Sequence, residues 1–208
     1  MELSLIQTKL LAEYLNQIPV GLQAVFDELH EAELSTDSFH FYTSVASVFS
    51  SKIEGADIEL DSYIKHKRDG IPFLPDYTKK IDDLYDVYTF AQRHTLTKEN
   101  VDEVHKLLGK DILPATWRGK YRTQNMYVST EDGRIEYVAA SPYKVATEME
   151  MFYDDLNQLL AAKMSIEETF FYASMVHLVF IKIHPWNDGN GRCGRLIEKW
   201  FLAQKLGD

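Results

Sequence analysis

The run His184-Pro185-Trp186-Asn187-Asp188-Gly189-Asn190-Gly191-Arg192-Cys193-Gly194-Arg195 decides how the rest of the chain is read. It follows residues 166–183, which are apolar nearly all round, as suits a helix surrounded by other helices. Pro185 ends that helix and leaves His184 at its C-terminal end, where the dipole favours imidazolium. A histidine so placed can take a proton and be stabilised once it has it. Gly189-Asn190-Gly191 turns tightly and lets backbone N–H groups approach a ligand. The next helix opens there, and helix N-termini bind phosphate. Arg192 and Arg195, three apart, lie on one face of that helix and suit a di- or triphosphate. Asp188 adds a hard oxygen of the type Mg²⁺ uses when it also binds phosphate oxygens. A base, a metal ligand, an anion nest and two cations in one loop point to phosphoryl or nucleotidyl transfer.

Outward from this run the chain reads mainly as helix. Helices are expected over 3–16 and 19–33, broken by Pro19 and Gly21. In 37–54, Phe39, Tyr42, Ala46, Phe49 and Ile53 recur at spacings of three and four, one apolar stripe on an amphipathic helix, with Gly55 as its stop. Residues 56–76 read as a short helix and then a loop, and 78–93 as a helix carrying Ile81, Leu84, Tyr85 and Tyr88. Thr97 reads as the N-cap of a helix running to about Leu108. Residues 121–128 are strand-like, Asp132-Gly133 marks a turn and 135–138 returns, the one expected hairpin. Pro142 opens a helix with Val145, Met149, Phe152, Leu156 and Leu159 on one stripe, and 191–205 is the last amphipathic helix.

Composition narrows the classes. The 208 residues fit one domain, or one domain with a helical extension, and 45% hydrophobic content suffices for a core. The net charge of −10 makes the chain a poor generic binder of nucleic acid or anionic membrane. A lone Cys193 excludes an internal disulfide and a CxxC metal site, and fits a reducing, cytoplasmic setting. Residues 170–181, the most apolar window, are too few to span a bilayer, and the N-terminus lacks a signal-peptide pattern.

The run 184–195 resembles the signature of the Fic (Fido) family, His-Pro-Phe-x-Asp/Glu-Gly-Asn-Gly-Arg-x-x-Arg, with Trp186 where the family usually has Phe. Leu96-Thr97 through His105-Lys106-Leu107-Leu108, and Trp117-Arg118-Gly119-Lys120-Tyr121-Arg122-Thr123-Gln124, resemble the family's lead into its flap. The resemblance implies a mainly α, Fic-type helical bundle with one β-hairpin flap. Residues 1–36 would be an N-terminal helical extension and 37–208 the Fic domain, with an inhibitory helix at about 37–55, the flap at about 121–138 and the motif loop at 184–195.

It also implies a reaction: transfer of AMP from ATP to a Ser, Thr or Tyr hydroxyl of a protein. His184 would deprotonate the hydroxyl. Asp188 would hold Mg²⁺ on the α- and β-phosphates. Gly189, Asn190 and Gly191 would cradle phosphates, Arg192 would hold the β-phosphate region and Arg195 the γ-phosphate. The target would pair with the flap as an added strand. Relatives include monomers and dimers, so a homodimer is among the partners the resemblance admits.

Ser50-Ser51-Lys52-Ile53-Glu54-Gly55 resembles the family's inhibitory pattern, Ser/Thr-x-x-x-Glu-Gly/Asn. Ser50 and Glu54 are four apart and share a helical face. By resemblance Glu54 would pair with Arg195 and occupy the γ-phosphate clamp. Other readings stay open: another nucleotide donor, removal of AMP with Glu54 positioning water, or a catalytically idle peptide-binding module. Gly191 stands where the phosphorylating Doc branch usually has Lys, which favours AMP transfer. Trp186 reads as a core anchor whose indole N–H needs a partner, and Cys193 as a small packed side chain. His30, His40, His66, His94, His105 and His177 show no metal-ligand spacing, and His177 reads as a satisfied core histidine. Tyr121, Tyr127 and Tyr137 read as flap and packing residues.

Overall fold

A computed structural model describes residues 2–32, 36–70, 75–130 and 132–207. Among them the order is α1 (Leu11–Gln17), α2 (Leu22–Ala32), α3 (Thr36–Ile53), α4 (Leu60–Asp69), α5 (Pro75–Arg93), α6 (Lys98–Leu108), β1 (Tyr127–Ser129), β2 (Ile135–Val138), α7 (Val145–Ala161), α8 (Ile166–Ile183) and α9 (Asn190–Leu206). The architecture is a helical bundle with one β-hairpin, as expected from the sequence. No helix of the described residues is long and apolar enough to cross a membrane.

The bundle is built around α8. Its N-terminus is closed by a capping box: Glu168 N–H donates to Ser165 Oγ, and Ser165 N–H donates to the Glu168 carboxylate. Phe171, Tyr172, Val176, Phe180 and Ile183 of α8 join Met149, Phe152, Leu156 and Leu159 of α7 and Leu196, Ile197, Trp200 and Phe201 of α9 in one core. A Cβ on Gly194 would stand 2.8 Å from the Ile181 side chain, so glycine there sets how closely α9 approaches α8. A smaller cluster, Val48, Ile58, Tyr63 and Ile81, joins α3, α4 and α5.

Four local expectations are corrected. Helix does not run from residue 3: α1 begins at Leu11, and the N–H groups of Ser4, Leu5 and Ile6 instead donate to the buried carboxylate of Asp155 at 2.7, 2.7 and 2.9 Å. The apolar stripe of α3 faces outward, with Tyr42, Phe49 and Ile53 49%, 52% and 69% exposed. The side chain of Phe39 lies outside the described residues. The buried face of α3 is Thr43, Ser44, Ser47, Val48, Ser50 and Ser51. Small side chains there let the helix sit close to α5 and α9. His177 is half-buried and meets the Glu198 carboxylate at 2.7 Å. The strand-like stretch 121–128 enters the ladder only from Tyr127, because Arg122 N–H donates across to Pro185 O instead. The hairpin pairs Tyr127 with Val138, Val128 with Tyr137 and Ser129 with Ile135.

Candidate active site

His184 is the C-cap of α8 and lies in the left-handed region, φ 52° and ψ 62°, alone among the described non-glycine residues. Pro185 follows and disfavours right-handed helix at 184. The cap holds because His184 N–H bonds Phe180 O and because Arg122 Nε donates to His184 O at 2.6 Å. Burial pushes the imidazole pKa down; the Ile181 carbonyl opposes this, the Arg122 cation adds to it, and Asp188 and Glu54 oppose it. The dipole argument from sequence is therefore overruled by desolvation, and the ring favours its neutral form. Its Nδ1 is buried without a hydrogen-bond partner of normal geometry.

The loop after His184 is clipped by Asn190. Its Oδ1 accepts from Trp186 N–H at 2.9 Å and its Nδ2 donates to Trp186 O at 2.8 Å. The Asn190 side chain is thus committed to the loop. Gly189, at φ 81°, caps α9 and its N–H donates to Asp188 Oδ1 at 2.6 Å. Trp186 is fully buried and stacks on His105, with ring centroids 4.0 Å apart; its indole N–H has no partner.

Arg192 is only 6% exposed. Its Nε is buried without a partner, and Asp188 Oδ1 is 3.5 Å from its Nη2. Arg195 is held from α3 and the turn after it: its Nε donates to Ser50 Oγ at 2.8 Å, its Nη2 to Ser50 O at 3.1 Å and to Glu54 Oε1 at 2.8 Å. A Cβ on Gly191 would stand 2.6 Å from that same Glu54 oxygen. Gly55, at φ 84°, ends the turn after Glu54. Ser51, Glu54, Asp111, Asp188 and Arg192 line one cavity of about 460 Å³, a volume in the range of small-molecule sites.

Two residues that sequence reasoning did not single out support this loop. His105 is fully buried; Nδ1 accepts from Gly119 N–H at 2.8 Å, so its other nitrogen, Nε2, is the one that donates to Asp188 O at 3.0 Å. Burial takes its pKa down to about 4. Arg122, also buried, reaches the carbonyls of Ile183, His184, Gln124 and Ala140. The only sequence signal for either was its place in the stretches leading into the hairpin. The hairpin is further tied down by Tyr137, whose hydroxyl donates to Lys182 O. Tyr127 is exposed on the hairpin, and Tyr121 is half-buried with its hydroxyl unpartnered.

The Fic/DOC family model matches residues 95–202. Two curated relatives, each named protein adenylyltransferase Fic, are 28% identical to this chain. The one from Nematostella vectensis aligns over 110 residues, 53% of this chain and 23% of the relative. The one from Drosophila willistoni aligns over 116 residues, 56% and 21%. The match thus takes in less than a quarter of either relative. A Fic family protein from Desulfovibrio desulfuricans G20 superposes with a TM-score of 0.76 at 18% identity, covering 98% of this chain and 60% of that one. Fic-1 from C. elegans superposes with a TM-score of 0.68 at 16% identity, covering 95% and 59%. These structures are alike in fold.

Proposed function

The chain belongs to the Fic/DOC family, and on that premise we propose that it transfers AMP from ATP to a Ser, Thr or Tyr hydroxyl of a target protein, restrained by Glu54. The observation that carries this reading is the pair of arginines on the first turns of α9: Arg192 is a buried cation with an unpartnered Nε, and Arg195 is held by a carboxylate of the same chain. A buried guanidinium calls for an anion. A polyphosphate lying along the loop would supply it, and Glu54 would compete for the same end.

The residues also fit Mg²⁺. Asp188 offers one half-exposed carboxylate at the cavity, and no three His, Cys, Asp or Glu converge among the described residues. That matches an ion taking one protein carboxylate and the rest of its oxygens from phosphate and water. Bound there by Asp188, it would neutralise phosphate charge.

His184, neutral through burial, would take the hydroxyl proton at Nε2, since Nδ1 is enclosed. The hydroxyl oxygen then bonds the α-phosphorus as the α,β-bridging P–O bond breaks, and pyrophosphate leaves with the electron pair. Arg192 and Arg195 would stabilise charge on the departing phosphates, and the target would lie along the hairpin. A second reading, hydrolytic removal of AMP, is favoured by one observation: Glu54 lines the same cavity as Asp188 and Arg192, where a carboxylate can orient water.

Intact-protein mass spectrometry after incubation with Mg²⁺ and ATP tests the proposal, comparing wild type, Glu54→Gly, and Glu54→Gly with His184→Ala. An AMP adduct strong in Glu54→Gly, weak in wild type and absent without His184 is expected. No adduct with ATP, CTP, GTP or UTP, even with cell lysate as acceptor, would sink it.

A further inference from the structure

We propose that Arg122 is a positioning residue that fixes the hairpin and the His184 cap to each other, so that base and target-binding edge are aligned as one unit. This rests on reading His184 as the base and the hairpin as the target edge.

A helix leaves its last four carbonyls without intrahelical partners. At the end of α8 those carbonyls are met almost entirely from the hairpin and its flanks. Lys182 O accepts from the Tyr137 hydroxyl and from Ala140 N–H. Ile183 O and His184 O accept from Arg122 Nη2 and Nε, at 3.1 and 2.6 Å. Just beyond, Pro185 O accepts from Arg122 N–H at 2.9 Å. The same guanidinium reaches forward to Gln124 O, ahead of β1, and to Ala140 O, after β2.

One planar group therefore bonds four carbonyls on three stretches of chain. Its geometry is what allows this: the five donors of a guanidinium lie in a rigid fork, whereas an ammonium presents a point. All four acceptors are main-chain oxygens, so Arg122 is not serving as half of an ion pair. The left-handed backbone of His184 is uncommon for a side-chain-bearing residue and persists only where its surroundings hold it. Arg122 holds it from the carbonyl side, 62 residues away in sequence. Movement of the hairpin edge and rotation of the His184 peptide are thereby joined through one side chain.

The test uses the full chain in the Glu54→Gly background, with Arg122→Lys and Tyr137→Phe as variants. Arg122→Lys keeps the charge and loses the fork. It should leave the dissociation constant for Mg·ATP within about twofold, because Arg192 and Arg195 are not its contacts. The rate of self-modification at saturating ATP should fall about 100-fold, the scale of an ångström-sized misplacement. Exchange of the hairpin amides should rise at least about tenfold while that of α9 stays as in the parent. Tyr137→Phe frees the hairpin alone and should speed the same amide exchange with less than about a tenfold rate loss.

An Arg122→Lys variant with a rate near the parent's overturns the proposal, as does one whose ATP affinity falls in step with its rate. If the Glu54→Gly parent forms no adduct on itself or on lysate protein with any of the four nucleotides, the proposed function fails; amide exchange and the His184 ring resonances still judge Arg122. Should Arg122→Lys not fold, relaxation dispersion on the parent decides. Hairpin amides and the His184 ring sharing one exchange rate support the coupling, and two independent rates overturn it.

Discussion

Glu54 Oε1 lies 2.8 Å from Arg195 Nη2, joining the turn just after α3 to the first turns of α9 across 141 residues. Both side chains keep some solvent contact, 39% and 20% exposed. Screening therefore limits what the pair adds to stability to about 1 kcal/mol or less. Its weight falls on what else can approach Arg195. Glu54→Gly should melt within about 3 °C of wild type yet gain a larger thermal shift from Mg·ATP. Equal shifts in the two proteins would remove Glu54 from nucleotide binding.

Activity in the Glu54→Gly background should fall on the acid side below pH 6.5. The neutral imidazole is the working form, and burial holds its pKa below the ordinary value. The groups acting on it are Ile181 O, Arg122, Asp188 and Glu54. Removing Glu54 takes away an acidic neighbour and moves the limb further down. A limb above pH 6.5, measured as adduct formed per minute across pH 4.5–8, contradicts a buried neutral base.

Stability should carry a His105 signature in the absence of divalent metal. Its folded pKa is about 4 against the usual 6.5, so between these values the unfolded chain takes a proton the folded chain refuses. The contribution is full above pH 6.5 and is lost as pH falls toward 4. Asp83 works the other way: burial raises it to about 6 from 3.8, and its contribution grows as pH falls through that window. Comparing wild type with His105→Gln isolates the histidine. The stability gap should shrink by about 2 kcal/mol between pH 7 and pH 4.5, read from urea melts. A constant gap would mean that His105 titrates normally.

Trp186 fills the core and stacks on His105, yet its indole N–H is buried unpartnered. Trp186→Phe loses area but also removes a costly orphan donor, so its net effect should stay within about 1.5 kcal/mol. Trp186→Ala should cost about 3–5 kcal/mol. Urea denaturation of both variants checks this, and a Phe variant as unstable as the Ala variant would show that the indole has a partner in solution.

The inverted face of α3 gives a paired test. Phe49→Ser, on the exposed side, should change stability by less than about 1 kcal/mol. Ser47→Leu, on the buried side, should cost about 1–3 kcal/mol by overpacking. The opposite ranking in thermal melts would restore the apolar stripe to the core.

What was legible in the sequence was contiguous. His184 through Arg195 lie on one loop and the start of one helix, so spacing alone brought them together. Glu54 and Ser50 were legible through one helical turn and a resemblance, and the structure sets both on Arg195. Arg122 and His105 act by bonding distant main-chain carbonyls, 62 and 83 residues away, and no side-chain pattern marks a carbonyl. For α3, the period of three and four located a stripe but not its direction. Packing there is by serine and threonine, which hydropathy counts as surface. The start of α1 is not legible because the carboxylate that holds residues 4–6, that of Asp155, stands about 150 residues away in sequence.

The two ends of α8 are closed by different means. Ser165 and Glu168 close the first turn within four residues, a contact that needs almost no loop closure. The last turn is closed by Tyr137 and Arg122, which must first fold back over 45 to 62 residues. Refolding should therefore have polarity along one helix: φ-values high near Ser165, where contacts are local, and low near His184, where they wait on long-range closure. The chemistry-bearing end of the helix would be the last part of it to become native.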